Sequence, residues 1–310
     1  AMTTSRREYL LTLAGAGTAA LAGCTDGNDN PTPTERVLPS NIGGWPMFGA
    51  GPDNTGAVPE ETGPTTSIVE QWRFPTDRQV YSAPAVVDNT VYVGSNDDHI
   101  YALAAQTGGF RWRFETGGLI RSSPAVADGS VYVGSDDFTL YSLSAADGTE
   151  QWAFETGYWI RGGPTVVGDT VYVGSDDDHV YALSTADGTE QWAFETAGSV
   201  RTTPAVVDGT VYVGTLGDTV HAISATDGTE QWRFTAGDGI GASPAVADGS
   251  VYVGSTDGNV YGLSAADGTE QWTFETADEV HASPAVVSGN VYVGSNDNAL
   301  YVVSAADGTQ

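Results

Sequence analysis

The sequence predicts an all-β chain: a β-propeller of six four-stranded blades. Three observations carry this. Trp72, Trp112, Trp152, Trp192, Trp232 and Trp272 recur every 40 residues. Pro84, Pro124, Pro164, Pro204, Pro244 and Pro284 keep the same step. The tetrapeptide Val-Tyr-Val-Gly starts at 91, 131, 171, 211, 251 and 291, with nothing inserted or lost. A period of about 40–50 residues built from short strands marks a propeller or related array.

One repeat shows how the strands arise. Pro124 opens a short apolar run, Ala125-Val126-Ala127, and proline is tolerated at a strand start. Asp128-Gly129 predicts a two-residue hairpin turn, in which both central positions need positive φ. Val131-Tyr132-Val133-Gly134 is the second strand, β-branched and aromatic. A turn around Asp136-Asp137-Phe138 leads into Leu140-Tyr141-Ser142-Leu143. Ala146-Asp147-Gly148-Thr149 turns again, and Gln151-Trp152-Ala153-Phe154 is the fourth strand. Four antiparallel strands per repeat make one blade. Apolar residues at helical spacing are absent, which excludes an α-solenoid.

The ends bear on closure. The repeats begin at Glu70 with a tryptophan strand, and the unit at about 284–305 has three strands. Pairing the first tryptophan strand with the last unit would complete six blades and remove the open edges. The alternative is seven blades, with an irregular one drawn from Gly43 to Val58.

Ahead of the 70–310 array lie three shorter regions. Residues 1–23 carry Arg6-Arg7 and then a 13-residue apolar run, Leu10 to Ala22. That run is shorter than the ~20 residues a membrane-spanning helix takes. A basic start, a short apolar stretch and small residues before a cut site make an export signal. The arginine pair resembles the twin-arginine signal, which exports folded proteins. Leu21-Ala22-Gly23-Cys24 resembles a lipobox, which implies cleavage before Cys24 and lipidation of that residue. The expected location is the outer face of the cytoplasmic membrane, reached through a lipid anchor only. As Cys24 is the single cysteine, an intramolecular disulfide is excluded. Residues 24–40 read as a disordered polar tether spanning roughly 20–25 Å, and 41–69 as a lead-in.

Charge narrows the function. The chain has 11 basic residues, all arginine, against 40 acidic ones, for a formal net charge of −29. Nucleic-acid binding is excluded, because it needs a basic face. Like-charge repulsion of this size opposes a compact state in dilute buffer. Molar salt shortens the screening length to about 3 Å, so the composition points to a halophilic protein.

The unit SxPAVxDGxVYVGSxDxxxYALSAADGTExWxFET, repeated over 70–310, resembles the quinoprotein-type repeat of pyrroloquinoline-quinone (PQQ) propellers, as in exported haloarchaeal proteins of that kind. Ala102, Thr107, Gly108 and Trp112 fit that family's tryptophan-docking pattern best. Gly44-Trp45-Pro46-Met47-Phe48-Gly49, with Asn54-Thr55-Gly56, looks like the lead-in found ahead of such repeats. The family includes quinone-dependent dehydrogenases and non-enzymatic propellers, among them a lipoprotein that scaffolds outer-membrane protein assembly. The resemblance implies eight blades and a calcium beside the quinone for the dehydrogenases. Six repeats, one cysteine and no long inserted loop depart from that pattern. The expectation is a binding or scaffolding module with no cofactor and no metal. A PQQ-dependent dehydrogenase of alcohols or sugars, with calcium, is the alternative.

Where near-identical repeats differ, a site is expected. The turns at Asp128-Gly129 and Asp147-Gly148 are nearly uniform, whereas the loops after Val-Tyr-Val-Gly and after the tryptophan strand vary. Alternate turns of an up-and-down blade fall on opposite faces, so the variable loops share one face. Function concentrates in loops held by a rigid scaffold. Just before the innermost strand the repeats read Tyr81, Arg121, Arg161, Arg201, Gly241 and His281. Three arginines thus meet at one mouth of the channel, where their planar forks suit carboxylate or phosphate. Tyr158 and Trp159 would add a stacking surface. The expected partner is a protein or a small anionic ligand. The competing reading pairs each arginine with Asp136, Asp137 or Asp176. The acidic turns read as surface solvation, and His99, His179, His221 and His281 are too scattered for a zinc site.

Overall fold

The computed structural model describes residues 47–56 and 70–310. The signal, Cys24, the tether and most of the lead-in lie outside the described residues. Within them, no helix is long and apolar enough to cross a membrane.

Strands appear where the alternation puts them. The first sheet is β1 (Ala85–Val87), β2 (Thr90–Gly94), β3 (His99–Ala104) and β4 (Phe110–Glu115), antiparallel and in sequence order. The second is β5 (Ala125–Ala127), β6 (Ser130–Gly134), β7 (Thr139–Ser144) and β8 (Glu150–Glu155). Three further four-stranded sheets follow in the same order, then a three-stranded one of Ala285–Val287, Asn290–Gly294 and Leu300–Ser304. The Asp-Gly hairpins have the conformation their sequence demands: φ is +46° at Asp128 and +77° at Gly129.

Each sheet packs face to face on the next. One apolar cluster joins Tyr92, Ile100 and Trp112 of the first sheet to Val126, Val131 and Leu143 of the second. The same cluster type recurs at the later joints. The tryptophan locks each joint. Trp112 Nε1 donates to the Ala145 carbonyl one repeat on, at 3.0 Å. Its indole lies against Gly148, where φ is +74° and a Cβ would come within 2.5 Å of Cε3. Only glycine permits both the turn and this approach.

The innermost strands lie side by side in sequence order. Residues 47–56 contribute no strand of a seventh blade. They run instead along these inner strands. The Val206, Val246 and Val286 amides donate to the Pro52, Asp53 and Thr55 carbonyls, at 2.6, 2.9 and 2.8 Å. Buried Asn54 donates Nδ2 to the Thr203 carbonyl, and Met47 packs with Ala125 and Val166. An inner strand has no neighbour on its channel side, so its free amides take partners from this segment.

The expected closing pair is not formed. Glu70–Phe74 has no strand, and the sixth sheet keeps three. Trp72 spends its indole on the first sheet, donating to the Ala105 carbonyl at 2.8 Å as the other tryptophans do to theirs. Leu300 is consequently 72% exposed, whereas its counterparts Ile100, Leu140, Val180, Val220 and Val260 are fully buried.

Candidate functional site

The rim residues are placed by glycine. At Gly134, the last residue of Val-Tyr-Val-Gly, a Cβ would overlap the Ile160 side chain. Ile160 fills that notch and is fully buried. The next residue, Arg161, is thereby held just ahead of the innermost strand Thr165–Val167. Ile120 against Gly94 and Val200 against Gly174 set Arg121 and Arg201 in the same way.

The three arginines interleave with two aspartates from the turn after the second strand. Arg161 Nε donates to Asp136 Oδ1 at 3.0 Å, and its Nη1 lies 3.9 Å from Asp176 Oδ2. Arg201 donates Nε and Nη2 to Asp176, at 3.0 and 2.9 Å. Arg121 Nε stands 3.7 Å from Asp136 Oδ2 and is buried without a hydrogen-bond partner among the described residues. The order around the rim is Arg121, Asp136, Arg161, Asp176, Arg201, leaving one positive charge in excess. The Asp176 side chain is 2% exposed and that of Arg161 14%. Such low-dielectric surroundings strengthen the attraction and make the loss of either partner costly.

Beyond Arg201 the charge stops. The positions matching Asp136 and Asp176 are Leu216, Thr256 and Asn296, and Gly241 stands where an arginine would be. His281 is exposed and bonded to Glu279 at 2.7 Å. Tyr81 is exposed beside the first sheet. The structure therefore gathers Arg121, Arg161 and Arg201, and leaves Tyr81 and His281 outside their ion-pair chain.

Asp137, offered above as an arginine partner, has another task. It accepts from the Tyr141 hydroxyl at 2.8 Å and from the Gly117 amide at 2.6 Å. Asp97, Asp177, Asp257 and Asp297 accept from the matching tyrosines. Burial, reinforced by the carboxylate, pushes the Tyr141 hydroxyl up to about 12. These acidic turns brace the loops. Among the described residues, no group of three or more His, Cys, Asp or Glu could hold a metal ion.

Trp159 lies under Arg161, with the guanidinium carbon 3.8 Å from the ring centroid. Tyr158 meets Trp159 at 4.4 Å and stacks on Phe138 at 5.3 Å, 13° from parallel. The sequence reading missed Phe138. Its signal was visible: the other repeats carry Asp98, Asp178, Asp218, Gly258 and Asn298 at that position.

Residues 102–310 match the family described as beta-alanine-activating enzyme, beta-propeller. No curated protein matches the chain. Among solved structures, BamB from Moraxella catarrhalis superposes with a TM-score of 0.67 at 19% identity, over 78% of this chain and 74% of that one. The computationally designed Ika8 protein superposes with a TM-score of 0.66 at 19% identity, over 72% and 70%. Both likenesses are of fold.

Proposed function

We propose a binding and scaffolding role from one premise: the chain belongs to the beta-alanine-activating enzyme β-propeller family, and its repeat is PQQ-like. In this reading the variable-loop face takes a protein partner. A twin-arginine signal exports the folded chain, Cys24 carries lipid, and residues 24–40 hold the propeller just off the outer face of the membrane. High salt screens the acidic surface at short range and leaves close, partly buried contacts intact.

The observation that carries the proposal is the rim. Five charged side chains from consecutive sheets are ordered into one chain on the variable face, with a net positive charge in a protein of net −29. On the opposite face the hairpin turns vary only among Asp-Gly, Asp88-Asn89, Gly168-Asp169 and Ser288-Gly289, and they contain no basic residue. A carboxylate of the partner would pair with Arg121, at the open end of this chain.

Photo-crosslinking on intact cells tests this. A photoreactive residue at exposed Leu216, on the variable face, is expected to give discrete protein adducts. The same residue at Asp208, on the uniform face, is expected to give none. Equal labelling from both positions, or none from Leu216, would overturn the reading.

A further inference from the structure

In the second and third repeats, three positions depart from the rest of the array and meet in space. Phe138 replaces Asp, Asn or Gly. Tyr158 stands where the others have Arg78, Gly118, Gly198, Asp238 and Asp278. Trp159 stands where they have Gln79, Leu119, Ser199, Gly239 and Glu279. The three rings form a continuous layer, Phe138 on Tyr158 and Tyr158 on Trp159, that ends under the Arg161 guanidinium.

Phe138 is held against its own preference. Its φ is +76°, in the left-handed region that every repeat uses at this position. Asp, Asn and Gly enter that region cheaply; a bulky aromatic residue does not. Strain of this kind persists where something other than stability selects it. What Phe138 supplies is a ring beside Tyr158, which is 41% exposed. Burial in a core does not account for that.

The cavity of about 450 Å³ near Asp53, Tyr212 and Asp248 lies on the opposite face. Small molecules favour concave sites, whereas an exposed Tyr and a half-buried Trp beside Arg are the residue types that anchor protein interfaces. At the inner edge of the layer, Arg161 joins Asp136, and Arg121 stands beyond it without a short bond. The charge left over there is positive.

We propose that Phe138, Tyr158 and Trp159, with Arg121 and Arg161 at their inner edge, form the anchor point for a protein segment presenting an aromatic side chain next to a carboxylate. The aromatic ring meets the exposed edge of Tyr158 beside Trp159, and the carboxylate takes the Nη donors of Arg121, whose side chain is 35% exposed. This deepens the scaffolding reading and rests on it.

The probes are N-acetyl-Phe-Asp-amide, its Phe-Asn counterpart and glucuronate, followed by ligand-detected saturation-transfer NMR. The Phe-Asp peptide is expected to bind, with the Phe-Asn peptide about threefold to fivefold weaker, the size of a partly exposed ion pair. Tyr158→Ala is expected to weaken the Phe-Asp peptide about tenfold. Phe138→Asn copies the residue at 298 and separates binding from folding. It is expected to lose the peptide to a similar degree while raising Tm by about 2–4 °C, because the strain is relieved. A lower Tm for Phe138→Asn would make the ring a packing element and overturn the proposal. So would equal binding of both peptides, or tighter binding of glucuronate. Crosslinks from Leu216 without peptide binding would remove this anchor and leave the scaffolding reading standing.

Discussion

The joints between sheets and the rim of the channel are built from the same 40-residue unit, yet they treat it in opposite ways. At the joints nothing changes. Trp112, Trp152, Trp192, Trp232 and Trp272 each donate to a carbonyl 33 residues on, at 2.9–3.0 Å. At the rim nothing is kept: Tyr, three Arg, Gly and His occupy one position. Invariant positions within one chain mark shared packing. Departures mark places where the packing rule is relaxed, and the rim turns these into one uninterrupted ion-pair chain over three sheets.

The contrast breaks most visibly at a joint. Trp152→Ala is expected to cost about 3–5 kcal/mol in a urea melt, as for other buried aromatic truncations. Trp72→Ala should cost less than half as much, because that indole is partly exposed and its segment pairs with no sheet. Equal losses would show that Glu70–Phe74 is bound on both sides, and hence that the sheets close in solution.

At the rim, Asp176→Asn removes the buried negative charge shared by Arg161 and Arg201. The expected loss is about 2–3 kcal/mol, the scale of hydrogen bonds to a charged group. Peptide binding at the neighbouring anchor should change less than it does for Tyr158→Ala. A neutral effect on the melt would show that solvent screens the chain of charges throughout.

The smallest effect sharpens the comparison within one sheet. His221 takes the place of the repeated tyrosine and lacks its aspartate, since Gly217 stands four residues earlier. It is buried and bonded to Glu230 at 2.8 Å, while Nε2 has no partner among the described residues. Burial lowers its pKa below the ordinary 6.5, outweighing Glu230, which pulls the other way. The folded state thus keeps this imidazole neutral. As pH falls below about 6.5, the unfolded chain takes the proton first, and stability drops until the folded pKa is passed. Thermal melts between pH 7 and 5 should slope downward, and His221→Tyr should flatten that slope. An unchanged slope would assign it to other groups.

Much of this was legible in the residues. The strands, the Asp-Gly hairpins and the tryptophan docking follow from local pattern, because each depends on neighbours at fixed sequence distance. The three arginines were found through position within the repeat. Their partners stayed undecided between Asp136, Asp137 and Asp176, since all three lie in one turn. A tyrosine four residues after Asp137 decides the matter, by occupying that carboxylate. Phe138 was passed over because it reads as one more apolar residue in a turn, and its positive φ becomes visible only in the backbone. Closure was expected from the count of strands. Glu70–Phe74 forms no strand on the sixth sheet, although the Trp72 indole docks on the first sheet as the other tryptophans dock on theirs.

The short segment before the repeats has a temporal meaning. Residues 47–56 leave the ribosome before any sheet, yet their seats are the inner strands around 206, 246 and 286. Asn54 and Thr203 stand 149 positions apart. Contacts so distant in sequence form late in folding. The piece made first is therefore seated last, and its seating reports that the later sheets are present. A truncated or misfolded chain would leave it loose, giving proteases a cleavage point at which complete molecules are told from incomplete ones.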